Sequence, residues 1–447
     1  MTESINQEKL LAELLEKSTR AGATAADAIV FDSSSVSVSY RLGKVEKIER
    51  SENKDLGLRV FVGSRQAIVS STDFRKEAIK ETISRAVAMA RVAPEDPYCG
   101  IAEQSQLTRE IPKIDIFGET EPSNENLIES LKITEEAARS VKGVTNSEGA
   151  EMGWTRANIG MAATNGFSQF YKTSSHSLSV SVLAGKGGDM ERDYEFSTSV
   201  HYEDLDAPEL IGGNAGKRAV RRLNAKKVKT QQVPVVFDPR VSGGLLRHYA
   251  GAINGSAISR GTSFLKNSLG KRIFQKGINI IDDPHRPRGH RSKPFDGEGL
   301  PNVRRSICED GILNTWILDL ASARQLGLQS TGHAARGTSA PPAPAVTNLY
   351  MEPGNSSRAQ LISDISSGFY VTELIGMGIN MITGDYSRGA TGFWIEKGEI
   401  AYPVNEVTIA GNLEDMYAKL TPADDLSFRF GSDAPTVRIE EMTVAGT

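Results

Sequence analysis

The stretch GGLLRHYAGAING, residues 243–255, is laid out like the helix that carries the chemistry of a zinc peptidase. Such a helix sets histidines one turn apart with a glutamate beside the first, so that metal and general base share one face. Here Arg247 and His248 open the pattern, and Ala252 stands where a second ligand would be. The types needed for metal hydrolysis are therefore missing from the one segment shaped to hold them.

No other segment supplies them. The six histidines (His176, His201, His248, His285, His290 and His333) include no His-x-His and no i, i+4 pair. His285 and His290 sit five apart among Arg286, Arg288, Arg291 and Lys293, whose charge repels a dication. There is no Gly-x-Ser-x-Gly elbow and no P-loop lysine motif. Cys99 and Cys308 lack sequence-level partners, and their separation suits a reducing compartment. His333, in the long Gly/Ala/Pro loop around TGHAARGTSAPPAPAVTNLY, is a candidate contact to a ligand or partner, since unstructured loops of that length are commonly functional or mobile. Asp385, Tyr386 and Arg388 cluster in GDYSRGATGFW, where a tight turn introducing a hairpin explains most of the pattern. Residues 217–229 carry seven Lys or Arg in thirteen positions. Without interleaved aromatics for base stacking, they read as the solvated face and cationic end of a helix.

The elements that position these residues fall into three groups. Leu10, Leu11, Leu14 and Leu15 repeat at helical spacing. Val36, Val38, Tyr40 and Leu42 alternate as one face of a half-exposed strand, and Gly63 is the turn into the next. Asp73 is the expected cap of a helix burying Ile79, Ile83, Val87 and Ala90, which Pro94 and Pro97 end. A polar linker to about residue 112 follows. The second group opens on a helix capped by Ser123, with Leu127, Leu131 and Ala138 inward. Asn165-Gly166 then joins two strands as a hairpin, and Asp206 and Pro208 introduce a closing helix. From about Val233 the pattern is many short strands, with hairpin turns at Asp310-Gly311 and Lys397-Gly398. No internal repeat is visible. The expected fold is α+β: a small α/β N-terminal domain (1–112), a central α+β domain (113–232) and a large β-rich C-terminal domain (233–447).

The 447 residues suffice for roughly three domains. A hydrophobic content of 39%, a charged content of 24% and a net charge of −4 are ordinary for a soluble protein and offer no field to draw nucleic acid. The polar N-terminus has no apolar run for a signal peptide, and no stretch approaches a membrane span, so the expected location is the cytoplasm.

Several stretches together resemble one family. They include GKVEKIERSE, LGLRVFVG, AVAMARVAPEDPY, VTNSEGA, ISRGTSFL, KPFDGEGLP, LDLASARQLGLQSTGHAARG, TNLYMEPG, YVTELIGMGIN and TGDYSRGATGFWIEKGEIAYPVNEVTIAGNL. From about residue 25 to the C-terminus the chain looks like a member of the TldD/PmbA family, in its PmbA (TldE) branch, historically called modulators of DNA gyrase. The TldD branch consists of zinc proteases with a His-Glu-x-x-x-His motif, completed by a cysteine near the C-terminus. Carried onto this chain, that motif falls on Arg247, His248 and Ala252, and no cysteine follows Cys308. The resemblance implies a non-catalytic subunit that binds no cofactor itself, with zinc in a TldD-type partner. It further implies peptide substrates held as extended strands, and a homodimer when the partner is absent. Arg260, Thr262, His333, Asp385 and Arg388 become candidate peptide or partner contacts. Two other readings stay open, an independent peptidase with an unrecognised site and a regulatory binding protein linked to DNA gyrase.

Overall fold

The computed structural model describes residues 7–446. Helix α1 (Gln7–Arg20) buries Leu11, Leu14 and Leu15 in one core with residues of strands β1 (Ala25–Arg41), β2 (Lys44–Val62) and β3 (Arg65–Ser71). Val36, Val38 and Tyr40 are buried as their alternation requires, whereas Leu42 is not a fourth member of that face. It occupies the β1–β2 turn with φ 49° and is 47% exposed. Helix α2 (Lys76–Val92) buries the expected Ile79, Ile83, Val87 and Ala90. Its cap is Arg75 rather than Asp73, whose carboxylate instead accepts the Arg75 backbone N–H at 3.0 Å and its guanidinium.

The second group repeats this order. Helix α3 (Asn124–Ser140) is capped by Ser123, which accepts from Asn126 N–H. Strands β4 (Val144–Ala163), β5 (Ser168–Ala184) and β6 (Glu191–Ser199) follow, with Asn165-Gly166 between β4 and β5. Helix α4 (Pro208–Arg221) starts with proline at its first turn after Ala207. Asp206 is not its cap, and donates its backbone N–H to Ser197 Oγ. The six strands form one sheet ordered β3-β2-β1-β4-β5-β6. No element spans residue 112, yet β1 pairs with β4 over residues 27–40, so the sheet is continuous across the linker. Each half is a helix, three strands and a helix, a repeat of structure that the sequence does not display. Successive strand residues point to opposite faces. Even-numbered residues of β1 therefore face the helix layer: Ala26, Ala28 and Val30 share one core with α1 and α2, and Val36, Val38 and Tyr40 share the other with α3 and α4.

The opposite face of this sheet docks on the C-terminal part. Ile29, Ile159, Met161, Ala163 and Phe167 close over Phe295. Beside them Asp27 lies buried between Arg59 and Arg336, with Arg59 Nε at 3.0 Å and Arg336 Nη1 at 2.5 Å from its carboxylate. Next to this cluster, Asp296 accepts the backbone N–H groups of Glu298, Leu300 and Ala334. Glu298, buried near it, is pushed up to about 8 by desolvation and by the Asp296 charge. A carboxyl whose folded pKa is raised contributes full stability below its unfolded pKa and loses it as pH climbs through about 8. Each unit of that shift is worth about 1.4 kcal/mol. Glu298→Gln, which keeps an acceptor for Leu320 N–H, should thus gain on the order of 2 kcal/mol at pH 9 relative to pH 5. Urea unfolding at the two pH values checks this, and an equal effect at both removes the coupling.

The C-terminal part runs β7 (Gln231–Phe237), α5 (Pro239–Ala252), α6 (Gly255–Ser259), β8 (Ile280–Asp282), β9 (Arg305–Glu309), β10 (Ile312–Leu313), α7 (Leu320–Leu326), β11 (Ala334–Ala335), β12 (Ala343–Pro344) and β13 (Leu349–Met351). After them come α8 (Arg358–Ser363), β14 (Ser367–Ile379), β15 (Asp385–Glu396), β16 (Glu399–Asn412), α9 (Leu413–Ala418), β17 (Leu420–Pro422), β18 (Ser432–Asp433) and β19 (Val437–Ala445). Asp310-Gly311 and Lys397-Gly398 close the β9–β10 and β15–β16 hairpins, all four residues with positive φ as a two-residue primed turn requires. The strands are not all short. β14, β15 and β16 have 12 to 14 residues and run through glycines without breaking. Gly392 sits where a Cβ would come within 1.9 Å of the Tyr370 carbonyl, so only glycine fits that crossing. β16 also pairs with β19, closing β7, β14, β15, β16 and β19 into a ring.

Two expectations fail here. The cationic 217–229 segment is not simply a solvated face, because Arg218 pairs with Glu195, and Arg222 lies among Glu191, Asp193 and Glu373. Those ion pairs tie α4 and β6 to β14. The loop around His333 is not free chain either. It carries the β11–β12 pair, and His333 is 2% exposed, with Nδ1 2.8 Å from Thr331 Oγ1 and Nε2 3.2 Å from Asp282. Buried there, it has no surface on which to meet a peptide or partner.

Candidate functional site

Helix α5 carries the degenerate motif. Asp238 caps it by accepting from Arg240 N–H, and Pro239 fills the first turn, where no N–H is missed. Its inward face is Ser242, Gly243, Gly244, Leu245, Leu246, Tyr249 and Ala252. Tyr249 packs edge-on against Phe274 and Tyr417, and the Tyr417 hydroxyl donates to the Leu245 carbonyl at 3.0 Å. On another side, Ser242 Oγ donates to the Ala434 carbonyl. A Cβ at Gly243 would stand 2.4 Å from the Ser432 carbonyl, so glycine is what lets the helix lie against β18.

Arg247 and His248 point away from that core. The His248 ring meets Tyr386 edge-on at 6.1 Å, and Arg388 lies two residues further along β15, on the same face as Tyr386. Burial, then Arg388 and Arg247, push His248 down to about 4, so its imidazole is neutral at physiological pH. Burial and the charges of Arg291 and Arg388 lower Arg247, with Asp433 opposing. Ala252 is fully buried on the other side of the helix. Five residues of α-helix advance roughly 500°, leaving positions 247 and 252 about 140° apart. A bulged turn would bring them together, but Ile253 N–H donates to Tyr249 O at 3.0 Å, as in a regular helix.

These residues do not fit a zinc ion. The three positions expected from the resemblance hold a permanently charged guanidinium at 247, an imidazole at 248 and a core-buried methyl group at 252, which together make no ligand set for zinc. Cys308 is no third ligand, because it is buried in the same core, with its thiol pushed up to about 12 by desolvation. Among the described residues no group of three or more His, Cys, Asp or Glu is arranged to hold a metal. His285 and His290 go to separate partners, Asn302 at 2.9 Å and Thr198 at 3.5 Å.

The remaining candidates divide. Arg388 joins Arg247 and His248. Asp385 is exposed at the start of β15 and held in its own turn, accepting from Thr383 Oγ1 at 2.6 Å and from Asn412. The turn itself is as expected, with Gly384 N–H donating to Asn380 O. Arg260 is exposed just past α6, and Thr262 is half-buried with its hydroxyl donating to Ala257 O. Their segment borders the β14–β15 turn through Phe264 N–H and Met381 O. Arg291 was missed. It lies 44 positions past Arg247 in a loop with no motif, and only the packing of that loop on Gly431 brings it near.

Models of the PmbA/TldA metallopeptidase family match three segments: domain 1 at residues 26–90, the central domain at 118–223 and the C-terminal domain at 230–446. The metalloprotease PmbA of Escherichia coli O157:H7 is 39% identical over 94% of this chain and 92% of its own. The metalloprotease TldD homologue of Haemophilus influenzae is 26% identical over 73% of each. Among solved structures, a candidate modulator of DNA gyrase from Bacteroides thetaiotaomicron superposes with a TM-score of 0.91 at 26% identity, covering 99% of this chain and all of its own. TldE from Thermococcus kodakarensis shares the fold, with a TM-score of 0.87 at 21% identity over 98% of this chain and all of its own. No helix among the described residues is long and apolar enough to cross a membrane.

Proposed function

Because the chain belongs to the PmbA/TldA metallopeptidase family, we propose that it is the non-catalytic subunit of a heterodimeric zinc metalloprotease, paired with a TldD-type chain that carries the intact His-Glu-x-x-x-His motif. The observation that supports this reading is α5 itself, where Arg247, His248 and a core-buried Ala252 stand at the positions expected to carry the ligands and the base. In the pair, the partner's motif would hold the zinc that supplies a polarised water, and this subunit shapes or closes the peptide cleft. The existence of TldD homologues and of a protein called TldE among its relatives supports such a pairing.

Extended peptides suit the scaffold. β3 covers β2 only over residues 56–62, so residues 44–55 present an edge on the side away from β1. An added strand there is gripped by main-chain hydrogen bonds whatever its side chains. Two unpaired cysteines fit a cytoplasmic setting.

The name metalloprotease on the PmbA relatives favours a second reading, an independent peptidase. One experiment separates the two. The purified chain, alone and mixed with a motif-bearing homologue, is assayed for zinc by elemental analysis and for peptide cleavage. The expected result is less than one zinc per ten copies of this chain and cleavage only by the mixture. About one zinc per chain with chelator-sensitive turnover establishes the independent enzyme instead, and equal cleavage by the homologue with and without this chain removes the subunit role.

A further inference from the structure

We propose that Arg247, Arg291 and Arg388 form a carboxylate-binding site that takes the C-terminal carboxylate of a peptide with apolar side chains. The three come from distant parts of the chain and meet around the exposed side of α5. Arg388 arrives on one flank, through the contact of Tyr386 with His248. Arg291 arrives on the other. Its side chain crosses Gly431, where a Cβ would stand 2.9 Å from its Cγ, and the next residue, Ser432, is the one against which Gly243 lies.

What marks this as a site is the missing counter-charge. Among the described residues none of the three guanidiniums has a carboxylate within 4.0 Å, whereas Arg218, Arg222, Arg240 and Arg336 each do. Asp433, the acid whose field reaches Arg247, is already engaged by the backbone N–H groups of Arg429, Phe430 and Gly431 at 2.8 to 3.1 Å. Arg388 Nε and the Tyr386 hydroxyl are buried, and the one polar partner the Tyr386 hydroxyl faces is Arg388 itself. Three like charges brought together without a counter-charge are a receptor for an anion, and the guanidinium fork matches a carboxylate by two parallel hydrogen bonds.

The surroundings select the anion's source. Met381 lies over Gly251, one turn past Arg247, with its methyl 3.3 Å from where a Cβ would be. The end of β14 exposes Ile375 and Met377, the latter 87% exposed, and the β14–β15 turn exposes Ile382. Phosphate has no use for an apolar wall beside its site. A peptide end, with a carboxylate and aliphatic side chains a few ångströms away, uses both.

The test needs neither partner nor cleavage, so its outcome is independent of the subunit proposal. The whole chain is titrated against a fluorescein-labelled Ala/Leu hexapeptide, as free acid and as C-terminal amide, and binding is read by anisotropy. The acid should bind at least ten-fold tighter than the amide. Arg388→Gln and the more exposed Arg247→Gln should each erase that preference while leaving the thermal midpoint within a few degrees. Equal binding of acid and amide, no binding of either, or a preference untouched by both variants overturns the proposal. So does a thermal midpoint raised by 10 mM inorganic phosphate but not by the acid peptide, which assigns the arginines to a free oxyanion instead.

Discussion

Rewriting the family motif into α5 by Arg247→His, His248→Glu and Ala252→His is expected to yield a destabilised protein without tight zinc. The first two changes fall on the outward side of the helix and should cost little. The third places an imidazole where a fully buried methyl group now packs in the main core of the C-terminal part. Overpacking costs about 1–3 kcal/mol. An unsatisfied buried polar group adds about as much again. A loss of about 3 kcal/mol or more is therefore expected for the triple variant, and under about 1 kcal/mol for the double Arg247→His/His248→Glu, away from the core. Nor would the new side chains converge, since the helix is regular through residue 252, and Asp433, the acid whose field reaches position 247, is already held by three backbone N–H groups. Two imidazoles about 140° apart around a helix cannot share one ion. Denaturant unfolding of both variants and zinc titration against a competing chelator check this. One-to-one zinc binding with chelator-sensitive turnover would show that α5 rearranges on metallation.

Asp27→Ala should be the most damaging single substitution outside the α5 region. Burial alone would raise this carboxyl's pKa, but Arg336 and Arg59 outweigh it and hold the group below the usual carboxylate range. Its stabilisation is therefore present above the unfolded pKa and is lost as pH falls through the lower folded one. Removing the carboxylate leaves two buried guanidiniums without the ion-pair partner they share, at a cost of about 3–5 kcal/mol. The loss falls where the six-stranded sheet meets the C-terminal part, because Arg336 reaches Asp27 from the far side of that junction. Limited proteolysis should then cut the variant first between the two parts. Arg336→Met, which takes away one charge and leaves the Asp27–Arg59 pair, should cost less. If Asp27→Ala unfolds within 1 kcal/mol of the parent, the triad does not hold the junction.

What the sequence determined by itself is local or subtractive. The helix stripes at Leu11, Leu14 and Leu15 and at Ile79, Ile83 and Val87 follow from spacing alone, because a 3.6-residue period leaves only one face to bury. The turns at Asn165-Gly166, Asp310-Gly311 and Lys397-Gly398 follow from the residue types that tolerate positive φ. The absence of a ligand set at 247, 248 and 252 needs no coordinates either, since a guanidinium and a methyl group cannot bind zinc.

Decisions that depend on distant contacts belonged to the tertiary structure. Leu42 fits the alternation but sits in the turn where its strand reverses. Asp73 and Asp206 have the composition of caps, and each hydrogen-bonds elsewhere. His333 looks like a loop residue and is locked against Asp282, 51 positions away in sequence. The basic run at 217–229 looks solvated until β6 and β14 bring carboxylates to Arg218 and Arg222. The two halves of the six-stranded sheet share an order of elements but no visible sequence pattern, because many side-chain sets fit one arrangement of strands. The arginine cluster shows the limit most clearly. Arg247, Arg291 and Arg388 are separated by 44 and 97 residues. Only the seating of Gly243 on Ser432 and of Arg291 on Gly431 gathers them around one helix. Spacing along a chain encodes which face of an element is buried, while the meeting of three distant charges is set by how those elements pack.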